Sequence, residues 1–315
     1  MLTYSIRRFI TLVLTLLLAS ILIFAVVNII PGDPAQIILG TEATPQSLAR
    51  VRAKLGLDRP TLVRYFDWLE GIVLHGDLGR SISYDLPISQ LLASRLLVTG
   101  PLAALAILFT IIISIPLGIY AATHHHRLGD YGTMACSQIG LVIPEFWLGI
   151  LLIIGFAVNW HLFPAGGFTS WRENPWESLR SLLLPALALG MIRAAIMARM
   201  TRSSMLEVLR EDFVQTARSK GLPERIVIYK HALRNALISV VTILGLQLGQ
   251  LIAGAIIIET VFYLPGMGRL VMLAINQRDL PVVQGIVLFI VAVIVIVNFI
   301  VDLLYGLLDP RIRYD

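Results

Sequence analysis

The chain of 315 residues is 57% hydrophobic and only 14% charged, whereas soluble domains carry about 25% charged residues. A water-soluble protein of this length could not bury so much apolar surface, so the composition excludes that class and indicates a polytopic membrane protein. The formal net charge is +5. In such a chain, basic residues between apolar runs indicate topology rather than a nucleic-acid partner.

Six apolar runs are long enough to cross the hydrocarbon layer, which needs about 20 residues. The first run exceeds the about 7–15 residues of a secretory signal, so it is predicted to be an uncleaved helix. Arg193 interrupts the fourth run, which makes this run the weakest of the six. The predicted spans are 9–30, 96–122, 131–158, 179–198, 236–258 and 282–307.

The orientation follows from the lysines and arginines of the short loops, which concentrate on the cytoplasmic side of a membrane. The most basic segment, 199–234, lies between the fourth and fifth predicted spans. If this segment is cytoplasmic, both chain termini are cytoplasmic too. The sequence therefore predicts an all-α protein with six transmembrane helices and both ends inside.

The long first loop, 31–95, is predicted to lie outside and to form two short helices. Thr44 is a suitable N-cap, Pro45 suits the first helical turn, and Gly56 can end the first helix. The second helix begins near Pro60. Its apolar residues recur at helical spacing, at Leu62, Phe66, Leu69 and Val73. This apolar face could lie on the membrane, pad the spans, or bind a soluble partner.

The basic segment contains the sequence EDFVQTARSKGLPERIVIYKHALRNA, residues 211–236. We expect a helix over 207–220, which Gly221 can end, and a second helix that Pro223 can start. Residues 215–217 are small or polar, so the surface of a partner could approach them closely. A solvated, membrane-anchoring loop would need no such defined turn.

At these residues the chain resembles a known family. QTARSKG followed by HALRNA is similar to the EAA loop of permease subunits of ABC importers, in the dipeptide, oligopeptide and nickel branch. Further motifs resemble landmarks of that branch along nearly the whole chain. In chain order they are MLTYSIRRF, PGDPA, LGLDRP with GDLGRS, IPEFWLG, LLPALALG, IIIETVFYLPGMGRL, RDLPVVQG and DPRIRYD. Ser239 departs from the proline of many relatives.

The resemblance implies a type I ABC importer permease fold in the bacterial inner membrane. Residues 1–95 would hold the first span and the outer loop, residues 96–308 the transmembrane core with its coupling loop at 207–236, and residues 309–315 a cytoplasmic tail. The implied partners are a second permease, two cytoplasmic ATPase subunits and an extracytoplasmic binding protein. The residues implied to couple to the ATPases are Gln215, Thr216, Ala217, Arg218, Lys220 and Gly221.

The expected cargo is a di- or oligopeptide, with nickel or a glutathione-like molecule as alternatives. The sequence contains no G-x-x-x-x-G-K-[ST], H-E-x-x-H or G-x-S-x-G motif. The chain is therefore expected to be non-catalytic, with no cofactor of its own, while ATP and Mg²⁺ bind to the ATPases. An ion-coupled secondary carrier is a remote alternative, because proton-coupled carriers usually need more charged residues inside the membrane.

Five polar residues within or beside the spans are candidates for the translocation path. Arg193 could face a cavity or extend to the cytoplasmic interface. Glu145 follows Pro144, where we expect a kink, and could line the path or bond to another helix. Gln247 and Gln250 share a helical face that favours close packing or channel lining. Glu259 could shape an outer gate.

The histidines of the sequence HHH at 124–126 could suggest a metal site. They lie at the predicted cytoplasmic end of a span, on a loop too short to enclose an ion. We therefore interpret them as a solvated loop and expect no metal site.

Overall fold

The computed structural model describes residues 2–29, 34–39, 43–54 and 56–308. Across these residues the regular structure is helical, and the only β contact is an isolated bridge between Arg80 and Pro87. The predicted cytoplasmic tail 309–315 lies outside the described residues. The helices are α1 (Leu2–Ile29), α2 (Pro34–Leu39), α3 (Pro45–Lys54), α4 (Thr61–His75), α5 (Ile88–Thr123), α6 (Leu128–Val142), α7 (Glu145–Leu152), α8 (Pro175–Val208), α9 (Asp212–Ser219), α10 (Glu224–Ile226), α11 (Leu233–Val261), α12 (Met267–Asn276) and α13 (Leu280–Leu308).

Among the described residues, five continuous helical segments are long and apolar enough to cross a membrane, and a bent pair of helices makes a sixth. Each corresponds to one of the six predicted spans, and most extend beyond the predicted limits. The fourth predicted span is part of α8, which is the most buried of these segments. The described part of the chain therefore agrees with an all-α, multi-pass architecture.

The third span is broken rather than straight. α6 and the segment from Glu145 to Asn159 meet at an angle of 104°. Pro144 explains the break, because proline has no N–H to donate and its ring restricts the residue before it, Ile143, to extended conformations. Ile143 has φ −73° and ψ 123°. The expected kink at Pro144 is confirmed. Beyond Leu152 the chain continues as a π-helical segment, Ile153–Asn159.

The chain divides into two compact units. One comprises the described residues up to Leu97 with Gly266–Phe299, and the other comprises Val98–Pro265 with the described residues from Ile300. The first unit has its own core, formed where the start of α5 packs with α12 and the start of α13. The buried apolar residues of this core are Ile88, Leu91, Leu92, Met267, Leu270, Val271, Ala274, Val282 and Ile286.

A buried carboxylate organises the loop that precedes α5 in this first unit. Asp279 is fully buried and accepts hydrogen bonds from the Ser81 hydroxyl at 2.5 Å and from the backbone N–H groups of Ser83 at 3.0 Å and Ile82 at 3.2 Å. Ionised acceptors form shorter and stronger hydrogen bonds than neutral ones. This contact fixes residues 81–83 to the start of α13.

The two helices predicted in the outer loop are confirmed as α3 and α4. The Thr44 hydroxyl accepts the N–H of Ser47 at 3.2 Å, which is the expected N-cap contact. Gly56 has φ +65°, as the predicted stop requires. The predicted apolar face of α4 is largely exposed in this chain, because Leu62, Phe66 and Val73 have little cover.

The core of the second unit forms around α8, where small residues let other helices approach closely. Ala186, Ala188 and Gly190 are buried. A Cβ on Gly190 would lie only 2.8 Å from the Ala106 carbonyl oxygen of α5, so only glycine fits there. The Thr110 hydroxyl donates to the Gly190 carbonyl at 3.1 Å. Close helix contact through small residues is typical of membrane bundles.

Candidate functional site

Residues 207–220 belong to two helices, α8 and α9, rather than to the single helix predicted. α8 ends at Val208, and α9 begins at Asp212. The prediction was wrong because Glu211 takes an extended backbone conformation with φ −66° and ψ 146°, which interrupts the helix. Neither glycine nor proline marks this break, so the sequence gives little sign of it.

One face of α9 packs against neighbouring residues of the same segment, and the opposite face is exposed. Val214 and Ala217 are buried and form a small apolar cluster with Val227. Ala217 was expected to be accessible to a partner, and this expectation was wrong, since its small side chain lets α9 pack on its neighbours. Gln215 and Thr216 are exposed, as are Lys220 and Gly221 just beyond the helix.

The turn after α9 has the predicted geometry and an additional ion pair. Gly221 has φ +76°, the left-handed conformation that favours glycine. Pro223 then precedes α10, which leads through the π-helical segment Val227–Ala232 into α11. Arg218 bonds to Glu224 across the turn, with an Nη2–Oε1 distance of 2.7 Å. The hydrogen bond to Glu224 raises the pKa of Arg218.

Three large apolar side chains are exposed on this basic segment, and none of them was among the residues predicted to contact a partner. Phe213 is 43% exposed, Ile226 is 40% exposed and Tyr229 is 56% exposed. These apolar residues interrupt a run of lysines and arginines, and this interruption is the sequence feature that could have identified them as surface contacts. Exposed apolar residues bordered by polar ones are typical of protein interaction surfaces.

A second group of polar residues lies within the apolar helices and joins three of them. Arg193 of α8 donates from Nη2 to Glu145 Oε1 at 2.5 Å and from Nη1 to Gln250 Oε1 at 3.0 Å. Its Nη2 also contacts the Gln250 carbonyl at 3.1 Å. We call Glu145, Arg193 and Gln250 the polar cluster. The structure therefore brings together three of the five path candidates.

The contacts of the polar cluster test two predictions, one for Arg193 and one for Glu145. Arg193 lies near the middle of α8 and is 7% exposed, so the alternative in which it extends to the interface is wrong. It remains inside because Glu145 Oε1 and two oxygens of Gln250 accept hydrogen bonds from its two Nη atoms, whereas its Nε has no partner among the described residues. For Glu145, the expected bond to another helix is present.

The remaining two candidates lie apart from this cluster. Gln247 is buried, unlike the exposed Gln250 three residues later. Neither polar atom of its side-chain amide has a hydrogen-bond partner within the described part of the chain. Glu259 is completely buried, and its Oε1 accepts the Thr99 hydroxyl at 2.5 Å. This bond joins α11 to α5.

The histidine loop is more ordered than a solvated loop would be. Asp130 is buried and accepts hydrogen bonds from Arg202 Nε at 2.5 Å and Nη2 at 2.7 Å. His125 Nδ1 lies 3.0 Å from Asp130 Oδ2. In the described residues, no three histidine, cysteine or acidic side chains converge as metal ligands would.

Two family models match the chain. The model described as "Binding-protein-dependent transport system inner membrane component" matches residues 114–314, and an N-terminal model of the same kind of membrane component matches residues 1–89. Over 300 residues the chain is 46% identical to a protein of Brucella abortus (strain 2308) that is provisionally named a peptide transport system permease, with 95% of each chain covered.

Other relatives extend over the whole chain. The dipeptide transport system permease protein DppB of Alkalihalophilus pseudofirmus is 41% identical, with 100% of both chains covered. The corresponding protein of Escherichia coli K12 is 40% identical and covers 100% of this chain and 99% of its own. A chain of the inward-facing MetNI methionine ABC transporter shares the fold, with a TM-score of 0.59, 18% identity, and coverage of 70% and 98%.

Proposed function

Since this chain belongs to the family of binding-protein-dependent transport system inner membrane components, we propose that it forms half of the path through which an ABC importer carries di- or oligopeptides. The cargo is supported by relatives of 40–41% identity, matched over their whole length, that are named for dipeptide transport. Nickel or glutathione-like cargo would use the same fold and role. An ion-coupled secondary carrier is the alternative from a different class of transport protein.

The observation that carries the coupling role is the exposed surface of the 211–236 segment. α9 presents Gln215 and Thr216 outward while Val214 and Ala217 anchor it from behind. The turn at Gly221 is braced by the Arg218–Glu224 ion pair. A short, anchored helix can transmit a displacement, whereas a loose loop would absorb it.

We assign this surface to a cytoplasmic ATPase subunit. Lys220 and Gly221 would contact the ATPase, Arg218 would hold the turn in place through its ion pair with Glu224, and Phe213 and Tyr229 would add apolar contact area. ATP and Mg²⁺ would bind to the two ATPase subunits and not to this chain. A second, homologous permease would complete the membrane path, and an extracytoplasmic binding protein would deliver the peptide.

The polar cluster supports a path along α11. The side chain of Gln250 is exposed well inside an apolar helix. A polar group at such a depth is unfavourable against lipid and usually faces a cavity or another protein segment. We therefore place Gln250 on the path, with Arg193 and Glu145 positioning it from behind. Gln247 and Glu259 would act from buried positions beside the path.

The test is reconstitution of this chain into liposomes with its second permease, its ATPases and its binding protein. Uptake of a labelled dipeptide should require ATP and should stop when the ATPases are omitted. Uptake that an ion gradient drives without ATPases would eliminate the importer function. ATP-dependent uptake of a nickel complex or of glutathione, but not of peptide, would retain the role and change the cargo.

A further inference from the structure

The exposed face of α11 differs from a surface that lipid covers. Between residues 250 and 260, its exposed side chains are Gln250, Ala253, Ile257 and Thr260. Their spacing of three and four residues places them on one side of the helix, and two of the four are polar. Between residues 16 and 26 of α1, by contrast, the exposed side chains are all large and apolar.

This face connects the proposed path to the end of α11. At about 1.5 Å per residue, it extends about 15 Å from Gln250 to Thr260. The charge pattern predicts the Thr260 end to be the outer one. The inference below rests on the proposed function, in which Gln250 lies on the peptide path, and concerns the residue that follows the outer end of this face.

The backbone that ends α11 takes a conformation that favours glycine, but the residue there is Tyr263. Its φ is +55°. The Leu264 N–H donates to the Glu259 carbonyl at 2.8 Å, and the Tyr263 N–H donates to the Thr260 carbonyl at 3.3 Å. These are the two hydrogen bonds of a Schellman motif, in which glycine usually occupies the left-handed position. The chain therefore keeps a large side chain where the backbone conformation favours none.

The neighbours of Tyr263 fix its position. Phe262 and Leu264 are buried on either side of it, whereas Tyr263 is 66% exposed. The Gly167 N–H donates to the Phe262 carbonyl at 2.9 Å. A Cβ on Gly166 would lie only 2.7 Å from the same carbonyl oxygen. These contacts hold the backbone around Tyr263 in place while its side chain stays at the surface.

An aromatic residue at the end of a span is commonly an anchor at the membrane interface. Such an anchor needs no left-handed backbone. Trp176 is also 66% exposed, and it lies in the first turn of α8 with ordinary helical geometry. Strained residues persist only where the surrounding structure imposes them, and they cluster at functional sites. The strain at Tyr263 therefore points to a role for its side chain in transport.

We propose that Tyr263 is a specificity-determining residue at the outer entrance of the path, where its ring packs on an aromatic side chain of the peptide. Aromatic rings pair in offset or edge-to-face arrangements, which are more favourable than the burial of apolar surface alone. The face from Thr260 to Gln250 carries no charge, so it suits the neutral amides of the peptide backbone. The Gln250 amide can both donate hydrogen bonds to these groups and accept them.

Uptake of two dipeptides by the reconstituted transporter tests this role, with alanyl-phenylalanine and alanyl-alanine as probes. The same binding protein delivers both peptides, so its own preference cancels when each variant is compared with the unmodified complex. Tyr263→Ala should slow uptake of alanyl-phenylalanine about fivefold and that of alanyl-alanine less than about twofold. Tyr263→Phe, which keeps the ring, should transport both as the unmodified complex does. Trp176→Ala is the matched control and should not slow one peptide more than the other.

Tyr263→Gly separates transport from folding. Glycine adopts the left-handed conformation without strain, so the unfolding temperature of this variant should not fall, while uptake of alanyl-phenylalanine should fall as it does in Tyr263→Ala. If Tyr263→Ala does not assemble, Tyr263→Gly takes its place in the comparison of the two peptides.

The proposal is wrong if Tyr263→Ala slows both peptides equally, if it slows neither, or if Trp176→Ala shows the same preference for one peptide. Loss of the binding protein or of the second permease from the Tyr263→Ala complex, measured by size-exclusion chromatography, would assign the ring to a protein contact instead. The proposed function fails separately. If the unmodified complex takes up neither dipeptide with ATP, the proposed cargo is wrong and this inference is lost with it.

Discussion

Arg193 and Glu145 form an ion pair of 2.5 Å between the middle of α8 and the first turn of α7, directly after the break at Pro144. Both side chains are largely buried, at 9% and 17% exposure. In an apolar surrounding each group depends on the other, because a buried charge without a partner is unfavourable. The pair therefore fixes the direction in which the chain continues after the break.

Replacing either member alone should destabilise the protein more than replacing both. Glu145→Gln leaves the Arg193 charge without a carboxylate, and Arg193→Met leaves the Glu145 charge buried. Each should cost about 3–5 kcal/mol. The double variant removes both charges and should recover much of this loss. Thermal unfolding of the purified protein, followed by fluorescence-detected chromatography, measures the three effects.

Arg199→Met provides the control for this comparison, because Arg199 lies on the same helix and is exposed. Its unfolding temperature should stay close to that of the unmodified protein. Additive losses in the double variant would show that the two side chains do not depend on each other.

The contact between Asp279 and residues 81–83 gives a second prediction. Asp279→Asn replaces one accepting oxygen by an N–H donor that opposes the donors of Ser81 and Ser83, and a buried unsatisfied group costs about 1–3 kcal/mol. Hydrogen exchange of the amides of Ile82 and Ser83 should accelerate. Asp85→Asn, whose side chain is 91% exposed, should leave these amides protected. Equal protection in both variants would contradict the organising role of Asp279.

Features that depend on local sequence could be predicted. The six apolar runs, the helix between Thr44 and Gly56, the kink at Pro144 and the left-handed Gly221 each have a nearby cause, such as length, a cap, or a residue with a special backbone preference. The family membership was also predicted, since its motifs extend along the chain.

Contacts between distant segments could not be predicted in the same way. Ser81 and Asp279 are 198 positions apart, and nothing near either residue indicates the other. The partners of Arg193 depend on which helices are neighbours. Whether Arg193 is buried therefore could not be predicted from the residues near it in the sequence. The break before α9 also depends on a contact between segments that are separated in the sequence, because Leu209 packs on the small cluster of Val214 and Val227.

Gly221 allows a test of the turn that avoids steric effects. A Cβ there would meet no atom within 4 Å, so only the backbone conformation limits the residue. Gly221→Val should cost about 1–2 kcal/mol of strain in the left-handed region. It should uncouple the transporter, so that ATP is hydrolysed without uptake. Gly221→Asn should keep uptake, because asparagine tolerates this conformation. Normal uptake by the valine variant would contradict a coupling role for the turn.

Variants of Arg218 and Glu224 test whether their ion pair supports uptake by holding the turn in place within this chain. Arg218→Glu should reduce ATP-dependent uptake because two carboxylates would then face each other. An exposed pair contributes only about 0–1 kcal/mol, so the effect should appear in uptake and not in unfolding temperature. The exchange Arg218→Glu with Glu224→Arg should restore uptake. If it does not, Arg218 acts on the ATPase directly.

Gly254 should be essential to the polar cluster although it carries no polar side chain. A Cβ at this position of α11 would collide with the Glu145 carboxylate and lie 3.1 Å from Leu189 Cδ2. In a helix, glycine to alanine ordinarily stabilises by about 1 kcal/mol. Gly254→Ala should instead destabilise, because the methyl group would push Glu145 away from Arg193.

The control is Gly132→Ala on α6, where an added Cβ has no neighbour within 4 Å. This variant should be unchanged or slightly more stable, so the two alanines should shift the unfolding temperature in opposite directions. In a Glu145→Gln/Arg193→Met background, the loss caused by Gly254→Ala should shrink, since no ion pair remains to be disrupted. An undiminished loss there would show that Gly254 acts through Leu189 alone and not through the ion pair.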